Sequence, residues 1–500
     1  MDERKIPIIV GVGQHTNRSA DLADAREPLE MMALVARKAE EDAQARGLLA
    51  RLDSIRVVNL LAWSYVDAAG MLAERLGAHP QDKVYSDIGG NMPQLLVNQT
   101  ADAIAGGRVG LALLVGAEAI RSRRQARRQG VTLDWTPRAQ PPGAALGTRP
   151  GTREVEEAHG ARFPPEIYPL FENAIRAHKG RTIPEHQARL GELCARFTQV
   201  AENNPYAWFP KARTKEEIIT AGPDNRMIGF PYPKLMNAII DVDQAAVIIM
   251  TSAAMARQMG IPKERWVFLW AGAEANDLWY FTDRVNYYTS PAIRTVGQKV
   301  LATAGLSVDA IDYFDLYSCF PSAVQIARDM VGIPEDDPRP LTVTGGLPYA
   351  GGPGNNYSMH AIATMVERLR VEREKKGLIS ALGYYLTKHA MGVYGGRPSG
   401  REWSRDDPAS YQQELNAASH PELVLEPEGP AAIETYTVMY DRDGQPERSV
   451  VIGRLEDGRR FIANTEADPG ILEAMVKEEA VGRRGRVHHD PAQGINLFRF

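Results

Sequence analysis

The sequence predicts an α/β protein built from two similar halves, followed by a small antiparallel β-barrel. Three observations predict this class. Short apolar runs rich in branched residues alternate with longer segments of helical period, which is typical of buried strands connected by helices. The pattern restarts about 260 residues later in the numbering, which indicates an internal duplication. Residues 431–500 then change to short alternating strands separated by tight turns.

The first half is predicted over residues 1–260 and begins with a strand from Ile6 to Gly13. A helix from Met92 to Ala105 enters from a glycine-rich turn and ends at Gly106, where the next strand follows. Three further apolar runs are predicted as strands: Ser54 to Leu60, Leu111 to Gly116 and Asp241 to Met250.

A long insert, predicted over residues 121–235, interrupts the first half. It begins with five arginines between Arg121 and Arg128, continues through the proline-rich stretch Thr136 to Gly143, and becomes helical from about Pro184 to Ala201. It is irregular again from Asn225 to Lys234. Because long inserts in compact units usually cover or line a site, we expect this one to do so.

The second half is predicted over residues 261–395 and repeats the order of the first. The glycine-rich turn and helix of Gly345 to Arg370 correspond to the turn and helix that end at Ala105. The predicted strands of this half are Trp266 to Ala273, Ile311 to Leu316 and Leu378 to Leu382. Residues 396–430 are polar and contain turn signals, so we predict a linker.

The last segment, residues 431–500, is predicted to contain five short strands and one helix. This number and order of elements are typical of a barrel of the OB type. The segment has no clear stripe of basic and aromatic residues, so it does not predict binding to nucleic acid. The strands are Ala432 to Tyr440, Ser449 to Leu455, Arg459 to Ala463, Gly485 to His488 and Asn496 to Phe500, and the helix lies near Gly470 to Glu478.

The composition describes an ordinary globular protein, with 44% hydrophobic residues, 24% charged residues and a net charge of -5. The two cysteines, Cys194 and Cys319, are too few for a disulfide framework or a CxxC-type metal site, and no metal is predicted. The first residues lack the apolar core of a signal peptide, and no apolar run approaches the roughly 18 residues of a membrane span. We therefore expect a cytoplasmic protein without a membrane span.

Three motifs in the second half carry a resemblance to a known family: Tyr317 to Phe320, Gly345 to Pro353 and Gly383 to Ala390. The chain resembles the thiolase superfamily, particularly the thiolase-like proteins of type 1, which are related to sterol-carrier-protein-type thiolases and carry an additional C-terminal domain. The resemblance covers residue 5 to about 395, and the tail resembles the added domain. It implies a duplicated, five-layered thiolase fold, an acyl-CoA thioester of lipid metabolism as substrate or ligand, no resident cofactor, and a monomer or homodimer.

The family places its nucleophilic cysteine in a Cys-x-Ser-Gly turn, and here that turn contains no cysteine. An acyl-cysteine intermediate is therefore excluded at this position. Asp87 and Asn91 are the candidate catalytic residues of the turn. Gly89 and Gly90 are candidates for binding a carbonyl oxygen through backbone N–H groups at the start of a helix, or they only allow close packing.

The second family motif, His-Asp-Cys-Phe, has Tyr317 in place of its histidine. A tyrosine hydroxyl can donate a hydrogen bond to an oxyanion or act as an acid, so Tyr317 is a catalytic candidate. Tyrosines in thiolase-like retro-aldolases support this interpretation. Cys319 matches the cysteine of the motif and is a candidate for contact with substrate, with a buried, inert thiol as the alternative.

The remaining motifs have also lost their usual catalytic groups. Gly351 and Gly352 stand in the Gly-His-Pro motif, with Gly352 at the position of the catalytic histidine, and both are candidates for substrate binding. His360, within the predicted helix, is a further candidate, with a helix histidine bonded to a local partner as the alternative. Ala381 replaces the second catalytic cysteine, so His389, just after the predicted strand, is the best remaining base candidate, with a structural role as the alternative. Arg124 of the arginine cluster is a candidate for CoA phosphates, or it belongs to a solvated helix face.

These replacements leave three hypotheses for function. The first is an enzyme of the acyltransferase type, or a retro-aldolase, that acts on an acyl-CoA thioester without a covalent intermediate. The second is a CoA-ester binding or scaffold protein without turnover. In the third, the tail is the functional module and tethers the thiolase part to a partner protein. In some thiolase-like lyases a separate OB-fold protein docks on the thiolase subunit, and a fused barrel resembles that arrangement within one chain.

Overall fold

The computed structural model describes residues 1–140 and 149–500; Pro141 to Gly143 of the proline-rich stretch lie outside these ranges. The strands are β1 Pro7–Thr16, β2 Ser54–Val57, β3 Asp82–Tyr85, β4 Leu111–Ala119, β5 Met227–Gly229, β6 Tyr232–Pro233, β7 Asp243–Ser252, β8 Val267–Asn276, β9 Tyr313–Asp315, β10 Lys376–Gly383, β11 Lys388–Gly395, β12 Gly429–Tyr440, β13 Pro446–Leu455, β14 Arg460–Ala463, β15 Arg484–Asp490 and β16 Ile495–Arg499. The helices are α1 Pro28–Ala43, α2 Ala68–Leu76, α3 Met92–Ala105, α4 Ile120–Gln129, α5 Glu154–Ala158, α6 Pro164–His178, α7 Ile183–Glu202, α8 Lys215–Ile219, α9 Ala253–Gln258, α10 Pro291–Ala304, α11 Pro321–Val331, α12 Tyr357–Val371, α13 Pro408–Asn416 and α14 Pro469–Lys477.

A nine-stranded mixed sheet joins the two halves in the order β3-β2-β4-β7-β1-β8-β11-β10-β9. The halves meet where β1 pairs antiparallel with β8, at Ile8 with Phe268 and Ile9 with Val267. Moving outward on either side, the next two pairings are antiparallel and the third is parallel. The two halves of the sheet therefore repeat one another in order and direction, and β3 extends the first half by one strand.

Helices α3 and α12 lie between the two halves of the sheet, because each contacts strands of both. Both are buried on most of their faces, and their sequences accordingly lack a wide polar face. Helix α1 covers the outer face of the first half and α10 covers that of the second. The order is helix, sheet, helix, sheet, helix, and the turns that precede α3 and α12 are held in the middle of the molecule.

The insert packs between the second half and the tail. Strand β5 of the insert pairs with β12 at Gly229 and Met439. The Asn173 amide of α6 donates to the carbonyl oxygen of Tyr436 at 2.8 Å, and the Thr435 hydroxyl donates to the Leu170 carbonyl oxygen at 2.5 Å. The tail is thus bonded through buried backbone groups to the insert.

The tail contains the five predicted strands and the predicted helix α14. Its strands form an antiparallel sheet in the order β14-β13-β12-β15-β16. The outer strands approach each other at a single bridge between Asn464 and Leu497. In the described residues this is the only bridge between the outer strands, so the antiparallel sheet is shown and a closed barrel is not.

Three elements differ from the sequence-based expectation. His389 follows β10, as expected, but it is the second residue of a further strand that was not predicted, β11, which returns antiparallel beside β10. The predicted linker contains helix α13, whose Tyr411 hydroxyl donates to the Glu274 carbonyl oxygen of β8 at 2.9 Å. Strand β3 was not predicted, because its residues are half-exposed and polar. In the described part of the chain, no helix is both long enough and apolar enough to cross a membrane.

Candidate functional site

The turn before α3 is the centre of the candidate site, and its two glycines are required by close contacts. A Cβ atom at Gly90 would overlap the hydroxyl of Tyr317, and one at Gly89 would overlap the Asn91 side chain and approach the Lys388 Cε to 3.0 Å. Gly89 also has a φ of +148°, which side chains rarely adopt. For Gly89 and Gly90 the sequence left two roles open, binding of an oxygen by backbone N–H groups or close packing. The close packing is present, and the groups packed against both glycines are polar.

Hydrogen-bonding groups are left over at the start of α3. The Gly89 N–H donates to the Asn355 Oδ1 at 2.9 Å, while among the described residues the N–H groups of Gly90 and Asn91 have no acceptor. The Asn91 side chain is buried, and its Oδ1 has no partner in the same part of the chain. Since free N–H groups at a helix start attract negative oxygens, this turn can bind a carbonyl or carboxylate oxygen.

Tyr317 lies behind this turn, in the loop between β9 and α11. Its ring contacts Tyr357 edge to face at 5.5 Å between centroids, and its backbone N–H donates to the Ser380 Oγ at 3.0 Å. Burial raises the pKa of Tyr317, so the hydroxyl stays protonated at neutral pH. A neutral hydroxyl is a hydrogen-bond donor, which is the role the motif predicted for Tyr317.

Asp87 forms a half-enclosed ion pair with Lys388 across the site. The Lys388 ammonium donates to the Asp87 Oδ2 at 2.7 Å and to the Ile88 carbonyl oxygen, and the Lys388 side chain is 4% exposed. Burial lowers the pKa of Lys388, while the Asp87 carboxylate opposes this shift. Sequence reasoning passed over Lys388 in favour of His389. Lys388 could have been considered from the sequence, because it directly precedes His389 and the motif just before it has lost its catalytic cysteine.

His389 is held by the buried carboxylate of Asp277, the residue that directly follows β8. Its Nε2 lies 3.1 Å from the Asp277 Oδ2 and 3.1 Å from the Leu386 carbonyl oxygen. Although burial opposes ionisation, the hydrogen bond from His389 and the charge of Arg284 together lower the pKa of Asp277. The Asp277 carboxylate therefore orients the imidazole through Nε2, which leaves the Nδ1 of His389 as the nitrogen that can act on a substrate. This is the arrangement of a general base with an orienting acid.

A cavity of about 340 Å³ runs between the start of α3, the adjoining ends of β8 and β11, and helix α13. Its lining includes Asp87, Asn91, Lys388 and His389. A second cavity of about 380 Å³ adjoins it and shares Asn276, Trp279 and Gln412 as lining residues. These volumes are in the range of small-molecule sites.

The other predicted residues contact different partners. His360 has its Nδ1 2.9 Å from the Gln14 Oε1 of β1, and burial lowers its pKa to about 3. Gly351 packs against Gln244, and the Gly352 N–H donates to the Ile239 carbonyl oxygen at 2.8 Å. Arg124 of α4 lies 3.6 Å from the Asp241 carboxylate. Burial raises the pKa of Cys319 to about 12, which favours the alternative of an inert thiol.

The structure therefore brings together Asp87, Gly89, Gly90, Asn91, Tyr317 and His389, and it adds Lys388 and Asp277. Within residues 1–140 and 149–500, no group of three or more His, Cys, Asp or Glu side chains is placed to hold a metal ion. The site offers hydrogen-bond donors for a negative oxygen, one oriented base and one buried cation.

Comparisons with known proteins agree with the fold. The family of the additional C-terminal domain of thiolase-like protein type 1 matches residues 410–492. No curated protein matches the chain. Two solved structures, the Ltp2-ChsH2(DUF35) aldolase and an acetyl-CoA acetyltransferase from Syntrophomonas wolfei, show the fold alone. The first is 17% identical with a TM-score of 0.59, covering 78% of this chain and 98% of the other. The second is 15% identical with a TM-score of 0.55, covering 79% and 99%.

A monomeric SCP2-thiolase-like protein type 1 from Mycobacterium smegmatis is similar over 100% of both chains, with 32% identity and a TM-score of 0.85. Identity at this level over the full length of two chains of the same architecture, together with the matching tail, shows the family. The chain belongs to the SCP2-thiolase-like proteins of type 1, which carry an additional C-terminal domain.

Proposed function

We propose that the protein binds an acyl-CoA thioester with its reactive end in the cavity beside α3, and acts on the thioester without a cysteine nucleophile. One observation carries this proposal. Although the usual catalytic residues are replaced, Tyr317, Asp87 and Asn91 of the altered motifs and the neighbouring His389 still converge on one cavity or on the turn that lines it. A protein without a function at this site would have no need to keep these polar groups together.

Acyl transfer is the reaction that the geometry supports first. The thioester oxygen would accept hydrogen bonds from the Tyr317 hydroxyl and from the free N–H groups before α3. His389, oriented by Asp277, would take the proton of an acceptor nucleophile as that nucleophile adds to the carbonyl carbon. The thiolate of CoA would then leave. Each step uses a group that is present, and none needs an acyl-enzyme.

Retro-aldol cleavage is the second candidate, favoured by the absence of a nucleophile at the turn. In this reaction His389 would take the proton of a 3-hydroxyl group, the bond between C2 and C3 would break, and the electron pair would rest on the thioester oxygen as an enolate. The same donors would stabilise it, and C2 would then be protonated. The distant fold match to the Ltp2-ChsH2(DUF35) aldolase is compatible with this chemistry.

The proposal extends to the rest of the chain. We propose that the tail is a domain of the OB type that takes, within one chain, the place that the DUF35 protein has beside Ltp2 in the distant aldolase. Like the Mycobacterium smegmatis relative, the protein would be a monomer. It would act in the cytoplasm on acyl groups of lipid metabolism.

The test combines titration and turnover with acetyl-CoA, a longer acyl-CoA and a 3-hydroxyacyl-CoA. Binding is followed by calorimetry, transfer by released CoA, and cleavage by the carbonyl product. We expect Tyr317→Phe to bind within a few-fold of wild type and to lose about 10²-fold in turnover. Tyr349→Phe is the matched control, since Tyr349 is also a buried tyrosine, but it is not among the close contacts of Gly89 and Gly90, whereas the Tyr317 hydroxyl packs against Gly90.

Three results are possible. Turnover that depends on Tyr317 supports the enzyme, and the product distinguishes transfer from cleavage. Binding without turnover of any thioester would replace the enzyme by a CoA-ester carrier or scaffold. Absence of binding by every thioester, or a crystal soaked with acetyl-CoA in which the carbonyl lies away from Tyr317 and His389, would overturn the proposal.

A further inference from the structure

Arg460 is a buried arginine of the added domain whose contacts leave that domain. It lies on β14 and its side chain has no solvent exposure. Two of its nitrogens form a fork on the Glu434 carboxylate, both at 2.8 Å. The third nitrogen donates to the carbonyl oxygens of Thr282 and Arg284 in the second half, the former at 2.9 Å. One guanidinium therefore bonds the backbone of residues 282–284 to the added domain.

The segment that Arg460 holds carries the side chain of Arg284, which reaches back toward the candidate site. The Arg284 Nη2 donates to the Tyr385 carbonyl oxygen at 2.9 Å and to the Thr387 hydroxyl at 2.8 Å. Its Nη1 lies 3.5 Å from the Asp277 carboxylate. Arg284 is buried, so these contacts fix its position, and it holds both the turn before Lys388 and the partner of His389.

We infer that the added C-terminal domain positions His389, through Arg460, the backbone of residues 282–284, and the contacts of Arg284 with Asp277 and the turn Tyr384 to Thr387. Arg460 acts here as a positioning residue and touches no part of the cavity beside α3. The catalytic value of this arrangement rests on the proposed function, while the arrangement itself does not.

The turn that Arg284 holds has a backbone conformation that needs support. Tyr384 and Leu386 both have positive φ values, 55° and 57°, and neither is glycine. Such residues cost free energy and persist where their surroundings hold them. The hydroxyl of Tyr168 in the insert donates to the Tyr384 carbonyl oxygen at 2.8 Å, and Arg284 bonds the other side of the turn. Because the Leu386 carbonyl oxygen is itself a neighbour of the His389 Nε2, a relaxed turn would move the imidazole.

A simpler role for Arg460 is attachment of the added domain and nothing more. Arg454 separates the two roles, because it also forms a fork on Glu434, at 2.7 and 3.0 Å, and its remaining hydrogen bond stays within the added domain at the Gly458 carbonyl oxygen. Loss of Arg454 removes a cation from Glu434 and leaves residues 282–284 untouched. Loss of Arg460 removes a cation from Glu434 and also frees the carbonyl oxygens of Thr282 and Arg284.

The experiment compares full-length Arg460→Met and Arg460→Lys with the control Arg454→Met. Amide hydrogen exchange measured by mass spectrometry reports on peptides of the turn at 384–389 and on peptides of β12 and β13. Proton–carbon spectra of the protein labelled at histidine Cε1 report on the imidazoles, with His389 assigned through His389→Gln and His360 as the reference. Neither measurement needs a substrate, so the result does not depend on the proposed function.

For Arg460→Met we expect exchange at 384–389 to become at least tenfold faster and the His389 signal to shift, while His360 keeps its position and β12 and β13 stay protected. Arg460→Lys should recover part of both effects, because an ammonium can reach one of the two carbonyls. Arg454→Met should leave the turn and His389 as in the wild type. If Arg460→Met unfolds the added domain, Arg460→Lys decides. Unchanged exchange at 384–389 and an unchanged His389 signal in the folded variant would overturn the inference.

Discussion

The pairs His389–Asp277 and His186–Glu172 are made of the same kinds of groups and are both buried, but their surroundings differ. The His186 Nε2 lies 2.6 Å from the Glu172 Oε1, between the insert helices and α11. Glu172 also accepts from the Tyr232 hydroxyl at 2.5 Å and from the Gln325 amide at 2.7 Å. The tyrosine and the glutamine are neutral partners, and the bonds of Glu172 join four elements, α6, α7, β6 and α11.

The His389 pair has a cation and a cavity beside it. Asp277 keeps Arg284 as a second partner, with its Nη1 at 3.5 Å, and His389 lines the cavity beside α3. The comparison teaches that a buried histidine–carboxylate pair is not by itself a functional site. What distinguishes His389 is a neighbouring cavity, a turn with two positive φ values, and a cation, Arg284, beside its carboxylate partner.

The largest expected difference is in stability. His186→Leu should lower the free energy of unfolding by about 3 kcal/mol, because the buried Glu172 would lose its hydrogen bond to His186 and would keep only Tyr232 and Gln325 as partners. His389→Leu should cost about 1 kcal/mol, because Asp277 retains Arg284 and the Ser290 hydroxyl. Chemical denaturation of both variants followed by circular dichroism measures the two costs. Equal costs would show that the two pairs are equivalent structural bonds.

The second expected difference is in turnover, if the proposed enzyme activity is found. His389→Gln should lower turnover by about 10²-fold or more, because glutamine cannot take up the proton. His186→Gln should leave turnover per folded molecule unchanged, since His186 does not line the cavity. Steady-state rates at saturating acyl-CoA, normalised to folded protein, test this contrast. A loss of similar size in both variants would contradict it.

The strands of the sheet were predictable from the sequence where burial is complete on both faces. The runs that became β1, β4, β7, β8 and β10 are nearly continuous apolar segments for this reason. Strand β11 was missed because it begins with Lys388 and His389, two polar residues that look like a loop after β10. Helix α13 was missed because the turn signals on both sides of it suggested a linker.

The candidate site was predictable in part. The altered motifs identified Tyr317, Asp87 and Asn91 because the resemblance fixed their positions along the chain. It could not identify Asp277 or Arg284, since their contacts with His389 and with the turn before it join residues that are 112 and 101 to 103 positions apart. Local sequence patterns contain no information on such pairs. For the same reason Arg460, 176 residues from the carbonyl of Arg284, was invisible before the fold was known.

A third prediction tests whether the turn before α3, beside the cavity that His389 lines, is as tightly packed as the core around His186. Gly90→Ala should lower the free energy of unfolding by about 2 kcal/mol, because its Cβ would overlap both the Tyr317 hydroxyl and the Leu382 carbonyl oxygen. Removing that hydroxyl in Gly90→Ala/Tyr317→Phe should recover about 1 kcal/mol of this cost. Denaturation of the two single variants and the double variant gives the coupling. Strictly additive costs would mean that the hydroxyl does not rest on Gly90.

The smallest expected effect is the pH dependence of stability that Asp277 contributes. Asp277 has the cation Arg284 beside it, whereas the partners of Glu172 named above do not include an arginine or a lysine. The pKa of Asp277 in the folded protein lies below the ordinary value of 3.8, because the hydrogen bond from His389 and the charge of Arg284 outweigh burial. The stability it contributes is therefore complete above pH 3.8 and is lost as the pH falls through the folded pKa. Each unit of lowering corresponds to about 1.4 kcal/mol. Thermal unfolding between pH 5 and about pH 3 should show this loss in the wild type, whereas Asp277→Asn should start from a lower stability and decline less steeply. Parallel declines would mean that Asp277 has the same pKa in the folded and unfolded chain, and that Arg284 and His389 do not act on its charge.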